Sequence, residues 1–270
     1  MKLNQKKQRF KQILNGKFFL ATSLVIFSCT QVQARQTPSG QSNRPAATVP
    51  NVVFAAPPLP PGTGAPTGRR SGAGSRGCGN INSAANVADK KHLTALVPSI
   101  QSNEFLLAEF VGGLTTAERP TFWFYITYQP PFTGQFILQD KDENVVYKTN
   151  VILPAKPGVM RISLPSNLPP LEIGKVYNWY FNITCESDAQ RISSVNGWIQ
   201  RTSLNTSVET QLQNATPQQK VSLYASNGIW YEALTTAAEL RRNNSNDQNW
   251  ANLLQEVGLS EIASAAIAEN

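Results

Sequence analysis

The alternation of apolar and polar residues predicts β-strands between residues 93 and 201. The clearest case is Val176–Cys185, whose apolar positions are Tyr177, Trp179, Phe181, Ile183 and Cys185. Its polar positions are Asn178, Tyr180, Asn182 and Thr184. A period of two is the pattern of a strand with one buried face and one exposed face. We therefore expect Cys185 to lie on the core side at the end of a strand.

Further strands are predicted where short aromatic and β-branched runs are separated by turn residues. They are residues 121–128, 133–140, 145–153 and 158–164, and a last strand that contains Trp198 and Ile199. The run 121–128 is aromatic on both faces, which is typical of a central strand covered on both sides. Polar residues 141–144 predict a hairpin turn. Because no strand alternates with a helix, the pattern favours an antiparallel β-sandwich of about seven or eight strands.

After about residue 206 the apolar period becomes that of helices. Thr216, Pro217 and Gln219 provide a capping hydroxyl, a proline for the first turn and a glutamine three residues after the cap. A following Gly228 is a helix stop signal. Two later helices have apolar stripes at Trp230, Ala233, Leu234, Ala237 and Leu240, and at Trp250, Leu253, Leu254 and Val257.

The predicted fold class is α+β, with a β-sandwich at residues 92–204 and a small C-terminal α-helical region at 205–270. Residues 228–233 resemble the junction between the paired helices of a tetratricopeptide repeat. About one and a half repeats are fewer than usually stand alone, so we expect a helical hairpin packed on the sandwich. A groove left free there would suit a partner peptide or helix, and completion of the core is the alternative. The candidate interaction residues are Trp230, Tyr231, Trp250, Arg241 and Arg242.

Residues 1–34 have the three parts of a secretory signal peptide: a cationic start, an apolar stretch and small residues before a cleavage point. Cleavage is expected after Ala34. The apolar stretch is too short to span a bilayer, so we expect no transmembrane helix in the mature chain. An alternative cleavage before Cys29 would produce a lipoprotein anchored at that cysteine. The expected location is therefore the periplasm or the exterior, with the membrane-anchored lipoprotein as the alternative.

Residues 35–91 predict a disordered, basic linker. They contain 8 Pro and 8 Gly and few large apolar residues, so folding would not offset the loss of chain entropy. The stretch carries seven Lys and Arg and one acidic residue. Arg69, Arg70 and Arg76 would either belong to a solvated, flexible tail or contact an anionic cell-wall polymer.

The charge of the rest of the chain gives no reason to expect a polyanionic partner. Six of the 24 Lys and Arg lie in the signal peptide, which leaves 18 basic residues against 17 acidic ones. Residues 92–270 alone contain 11 basic and 16 acidic residues. We therefore expect no nucleic-acid partner.

Cys78 and Cys185 are the two structural cysteines after either cleavage. An even pair in an exported chain predicts a disulfide, and two free thiols are the alternative. The cysteines lie 107 positions apart, so on the chain-entropy model their closure would stabilise the fold by roughly 4 to 5 kcal/mol. The bond would fasten the end of the linker to the globular part.

No motif in the sequence indicates a catalytic, metal or cofactor site. Gly72, Gly74 and Gly77 have the spacing of a dinucleotide-binding fingerprint, but the strand and helix that the motif needs are not predicted around them. The acidic turn at residues 140–144 lacks the central glycine and final glutamate of a calcium loop. The single histidine, His92, has no accompanying nucleophile motif. We expect a non-enzymatic protein without a cofactor.

Several blocks in order resemble one family. They are residues 68–70, 76–78, 93–98, 117–125, 179–185, 197–201 and 229–234. From about residue 68 to residue 265 the chain resembles the cyanobacterial domain-of-unknown-function 928 family. The resemblance implies a cyanobacterial exported protein, and both Cys78 and Cys185 fall in family-like blocks. It supplies no activity and no catalytic residues. After the second cysteine the family tends to have Asp-Pro, whereas this chain has Glu186 and Ser187.

The resulting hypothesis is an exported, non-catalytic protein-interaction module of the cell envelope, with another envelope protein as its partner. One alternative is a carbohydrate-binding or cell-wall-binding sandwich that uses exposed Trp or Tyr rings. The other is a hydrolase with an unrecognised site.

Overall fold

The structure is a computed structural model. It describes residues 52–59, 68–72, 93–101, 109–128, 132–185 and 191–268. Within these ranges, ten strands are followed by four helices. This order confirms the α+β class, and it contains more strands than the seven or eight expected.

The strands form two sheets. The first has the order β1 (Ser71–Gly72), β2 (Leu93–Ala95), β5 (Thr121–Ile126), β8 (Gly158–Ser163). The second has the order β3 (Ser99–Gln101), β4 (Glu109–Thr115), β10 (Arg191–Arg201), β9 (Val176–Cys185), β6 (Phe132–Gln139), β7 (Val145–Ile152). Neighbouring strands are antiparallel except β4 and β10, which are parallel.

The two sheets pack with their apolar faces together. Phe122 of β5 lies 4.8 Å from Phe136 of β6, measured between ring centroids, and Phe124 lies 4.6 Å from Phe181 of β9. Every apolar position predicted for the core face of β9 is buried. Full burial of side chains of this size stabilises a fold by about 1.5 to 3 kcal/mol each. The sandwich core therefore lies between β5 on one side and β6 with β9 on the other.

Strand β5 is covered on both faces, as its aromatic pattern predicts. On the face away from the six-stranded sheet, the indole Nε1 of Trp123 donates to Thr235 Oγ1 at 3.1 Å. The Trp123 ring also makes an edge contact with the ring of Trp250 at 6.1 Å. Both partners belong to the C-terminal helices. Helices α3 (Trp230–Asn243) and α4 (Asn249–Glu256) therefore form a third layer on the outer face of β5, and α3 also contacts β4 of the six-stranded sheet.

The helical layer consists of α1 (Thr206–Asn214), α2 (Pro217–Ser226), α3 (Trp230–Asn243) and α4 (Asn249–Glu256), with a 3₁₀ turn at Ser260–Ile262. The predicted capping box of α2 is present, because Thr216 and Gln219 each accept a hydrogen bond from the other's backbone N–H. Gly228 has a φ of 74°, the left-handed conformation that ends this helix. Helix α1 has no counterpart in the sequence predictions. Among the described residues, no helix combines the length and apolar character that crossing a membrane requires.

The interpretation of residues 35–91 as a disordered linker is wrong for two stretches. Residues 52–59, named the N-terminal segment below, pack against the helices, and Val52 is only 1% exposed. Residues 68–72 pair with both sheets, through a bridge to Asn196 and through strand β1. Proline and glycine dominate the composition, but the few apolar side chains there find buried positions. The remainder of 35–91 and the signal peptide at 1–34 lie outside the described residues.

Candidate functional site

The three aromatic residues of the predicted interaction surface are buried. Trp230, Tyr231 and Trp250 are 0%, 2% and 0% exposed. Trp230 Nε1 donates a hydrogen bond to the carbonyl oxygen of Leu96 at 2.8 Å. The Tyr231 hydroxyl donates to the carbonyl oxygen of Trp198 at 3.3 Å. The prediction is wrong for these three residues, because their helical spacing serves core packing instead.

The two arginines of the predicted interaction surface differ in environment. Arg241 donates to the carbonyl oxygens of Ala263 and Ala265, and its guanidinium lies 5.8 Å from the ring centroid of Trp250. Burial lowers the pKa of Arg241. Arg242 is exposed. Arg241 therefore fastens the C-terminal residues to α3, and Arg242 remains available at the surface.

The basic residues of the expected polymer contact are partly built into the fold. Arg70 Nη1 donates to the carbonyl oxygen of Val257 at 2.6 Å. Burial lowers the pKa of Arg70, and the carboxylate of Glu109 acts in the opposite direction. The backbone of Arg69 pairs with β10. Arg70 is thus a structural contact rather than part of a solvated tail, and Arg76 lies outside the described residues.

The acidic turn between β6 and β7 is closed by its own hydrogen bonds. The Asp140 carboxylate accepts the backbone N–H groups of Asp142 and Asn144 at 2.9 Å each, and also the Asn144 side-chain amide. The hydrogen bond from the side-chain amide of Asn144 contributes most to lowering the pKa of Asp140. The residues that the structure describes contain no group of three His, Cys, Asp or Glu side chains placed to hold a metal ion.

Two other sequence features are placed only in part. Cys185 is buried at the end of β9, whereas Cys78 and His92 lie outside the described residues. The disulfide therefore stays a prediction. Gly72 lies so close to β10 that an added Cβ would be 2.1 Å from Ser193 Oγ. This glycine permits close packing of β1, and Gly74 and Gly77 lie outside the described ranges.

The outer face of the six-stranded sheet carries uncharged polar side chains across four strands. Strand register places Asn150 of β7, Gln135 of β6, Asn182 of β9 and Ser194 of β10 in one row. Gln135 Nε2 donates to Asn150 Oδ1 at 3.1 Å within this row. The row therefore presents neighbouring amide groups on a rigid sheet.

Tyr180 lies in the adjacent row, between Ile137 of β6 and Asn196 of β10. Its neighbours on the same face of β9 are Asn178 and Asn182, because positions two apart in a strand point the same way. Tyr180 is half-buried, whereas the alternate positions of β9 are fully buried in the core. An aromatic ring thus lies among amide side chains near the middle of the sheet.

The outward positions of the two inner strands carry no charged residue. They are Thr133, Gln135, Ile137, Gln139, Asn178, Tyr180, Asn182 and Thr184. Surfaces of soluble domains are roughly 25 to 35% charged, so about two charged residues would be expected among these positions. We name Gln135, Gln139, Asn150, Asn178, Tyr180 and Asn182 the amide face. Amides donate and accept hydrogen bonds, so this surface is suited to an uncharged polar ligand.

A family model described as Domain of Unknown Function (DUF928) matches residues 71–267. The chain belongs to the DUF928 family. The DUF928 match begins with the first residue of β1 and includes both sheets and the four helices described above. It ends at Ile267, which pairs with Val159 of β8. The N-terminal segment precedes the DUF928 match. No curated protein matches the chain.

A buried carboxyl group joins the helical layer of the DUF928 fold to the sandwich. Glu232 lies in the first turn of α3, and its Oε1 accepts Thr115 Oγ1 at 2.6 Å and the Ala117 N–H at 3.0 Å. Its Oε2 is buried, and it has no hydrogen-bond partner in the described part of the chain. Burial raises the pKa of Glu232, and the bond from Thr115 opposes that shift. The group therefore favours its neutral form more than an exposed glutamate does.

Replacement of Glu232 by Gln is expected to improve stability relative to the wild type as pH rises. The folded-state pKa is raised above the unfolded value, so the stabilising effect of the neutral carboxyl is complete below the unfolded pKa. This effect is lost as pH rises through the folded pKa. Glutamine carries no charge to bury and retains Oε1 as an acceptor. Urea unfolding between about pH 4 and pH 8 measures the difference.

The matched variant Glu232→Ala removes the acceptor as well as the charge. At low pH it is expected to cost about 1 to 3 kcal/mol, because Thr115 Oγ1 loses its acceptor and the Ala117 N–H keeps only Thr115 Oγ1. The cost relative to the wild type should fall as pH rises, because the wild type then buries a charged carboxylate. A constant difference between the wild type and Glu232→Gln across this pH range would contradict the assignment of a raised pKa.

Proposed function

We propose that this protein is an exported, non-catalytic binding module of the cell envelope, and that its amide face binds an uncharged glycan. The observation that carries the proposal is the row of Asn150, Gln135 and Asn182 beside the half-buried ring of Tyr180. Export is supported by the signal-peptide pattern of residues 1–34. The surface is held by sheet hydrogen bonds, so it is organised before a ligand arrives.

Sugars match this chemistry in two ways. Their neighbouring hydroxyls both donate and accept hydrogen bonds, as the side-chain amides of Asn182 and Gln135 do. Their C–H faces are apolar and can pack on an aromatic ring such as that of Tyr180. One sheet face therefore offers both kinds of contact, at spacings fixed by strands about 4.8 Å apart.

The charge distribution favours a neutral glycan over an anionic one. An anionic polymer would be bound most strongly by grouped Lys or Arg side chains. The outward positions of β6 and β9 have none, and Lys148 lies on the edge strand β7. We therefore assign the amide face to uncharged sugars.

Replacement of Tyr180 by Ala is expected to weaken glycan binding about tenfold, because the stacking surface is lost. Tyr180→Phe retains the ring and should retain most of the affinity. Titration calorimetry of the mature protein with a panel of soluble neutral glucans, mannans and galactans measures both effects. Reducing-end assays on the same mixtures should show no cleavage of the glycan.

The control variant is Gln213→Ala, which removes an exposed amide from α1, outside the sheet. It should bind like the wild type. Failure of the wild type to bind any neutral glycan in the panel would refute the proposal, as would full affinity in Tyr180→Ala.

A further inference from the structure

The N-terminal segment lies against the helical layer with its side chains in contact with the helices. Val52 is 1% exposed and belongs to the hydrophobic core. The ring of Phe54 meets the ring of Trp230, at the start of α3, edge to face, with centroids 5.1 Å apart. Pro57 is also buried, whereas Val53 between the inward residues is 59% exposed. Three side chains of the segment therefore act as anchors.

Backbone hydrogen bonds fix the segment at two more points. The Phe54 N–H donates to Glu256 Oε2, at the end of α4, at 3.3 Å. The Ala55 N–H donates to the carbonyl oxygen of Ala225, in the last turn of α2, at 3.0 Å. A Cβ added to Gly228 would lie 3.0 Å from the Ala55 carbonyl oxygen and 3.5 Å from Pro57. The segment thus occupies a groove formed by the end of α2, the start of α3 and the end of α4.

This mode of contact is that of a bound peptide. Backbone bonds hold the chain irrespective of its sequence, and the inward side chains provide selectivity. The groove accepts a pattern of three residues in this segment. An apolar residue (Val52) is followed two positions later by an aromatic residue (Phe54), and three positions after that by a proline (Pro57). The segment is uncharged and contains no helix or strand of its own. It also lies before the range matched by the family.

We propose that the helical layer carries a peptide-binding groove, that residues 52–59 are its built-in ligand, and that an uncharged peptide of a partner envelope protein with the same pattern replaces them. This inference is independent of the glycan proposal, because the groove and the amide face belong to different layers. The internal ligand reduces the apparent affinity for the partner peptide by the fraction of molecules in which the groove is open.

The test uses a fluorescently labelled synthetic peptide with the sequence of residues 50–60 as the probe, and the mature protein as the receptor. Phe54→Ala in the protein weakens the internal ligand without changing the groove. Fluorescence anisotropy should then show at least tenfold tighter binding of the probe to Phe54→Ala than to the wild type. A probe in which alanine replaces the phenylalanine should not bind.

The matched control is Leu59→Ala, since Leu59 is 37% exposed at the end of the segment and its loss should leave probe binding as in the wild type. A second variant, which deletes residues 35–59, keeps the test decisive if Phe54→Ala unfolds. The deletion should retain the wild-type circular dichroism spectrum and bind the probe most tightly. Loss of that spectrum would overturn the proposal, because the fold would then require the segment and could not release it. Unchanged probe binding in both variants, or a wild-type dimer that exchanges segments between copies, would also overturn it.

Discussion

Replacement of Trp230 by Ala is expected to lower the free energy of unfolding by about 3 to 5 kcal/mol. The indole is completely buried at the start of α3. Its removal leaves a cavity beside Phe54, and it leaves the buried carbonyl oxygen of Leu96 without the donor that now lies 2.8 Å away. Because domains are stable by only about 5 to 15 kcal/mol, this single change removes a large part of the total. Urea unfolding followed by circular dichroism measures it.

Two variants separate the causes of this loss. Trp230→Phe retains much of the apolar contact but removes the bond to Leu96, so it should cost roughly 1 to 3 kcal/mol. Arg242→Ala changes an exposed residue of the same helix and should stay within about 0.5 kcal/mol of the wild type. A loss below about 1 kcal/mol in Trp230→Ala would show that the helical layer does not depend on this anchor.

Loss of the proposed bond between Cys78 and Cys185 is expected to cost about 4 to 5 kcal/mol. The described geometry permits the bond. Gly72 packs against Ser193, and register places Ser193 opposite Ile183, two residues before Cys185. Six positions separate Gly72 from Cys78, and six residues can extend over about 20 Å. The chain can therefore bring the two sulfur atoms together without rearranging the sheet.

The measurement compares the mature wild type with Cys78→Ser in urea, with and without reductant. Reductant should destabilise the wild type to the level of the variant and leave the variant unchanged. The variant leaves the buried Cys185 in place, so it introduces no substitution on the core face of β9. Thiol titration of the denatured, unreduced protein tests the bond directly. Two reactive thiols per mature chain would exclude it.

Local signals predicted the elements whose residues determine their own structure. The alternation of Val176–Cys185 gave both the strand β9 and its buried face, because a period of two leaves one orientation for the apolar set. Thr216 and Gln219 gave the start of α2, because a capping box satisfies backbone donors within one turn. These features depend on contacts between residues close in sequence.

Features that depend on contacts between residues distant in sequence could not be predicted from local patterns. Average composition marked residues 35–91 as a linker, although Phe54 contacts Trp230 and Glu256, which lie 176 and 202 positions later in the chain. The aromatic stripe of α3 and α4 has the same pattern whether it faces a core or a partner, so burial alone decided the role of Trp230 and Trp250.

Only part of the amide face could be predicted from the sequence. The polar positions of β9, including Tyr180 and Asn182, follow from its alternation. Their neighbours Gln135 and Asn150 follow only from strand order and register, which alternation does not specify. No sequence pattern predicted the burial of Glu232, because its partner Thr115 lies more than a hundred positions earlier in the chain.

Residues 68–72 pair with β10 through Arg69 and with β2 through Ser71–Gly72. A mature chain tethered by its N-terminus and pulled from that end would therefore yield in two steps. Weak tension would peel away residues 52–59, whose contacts open one after another. Stronger tension would then reach the stretch at 68–72, where the load is shared between both sheets and several bonds must break together.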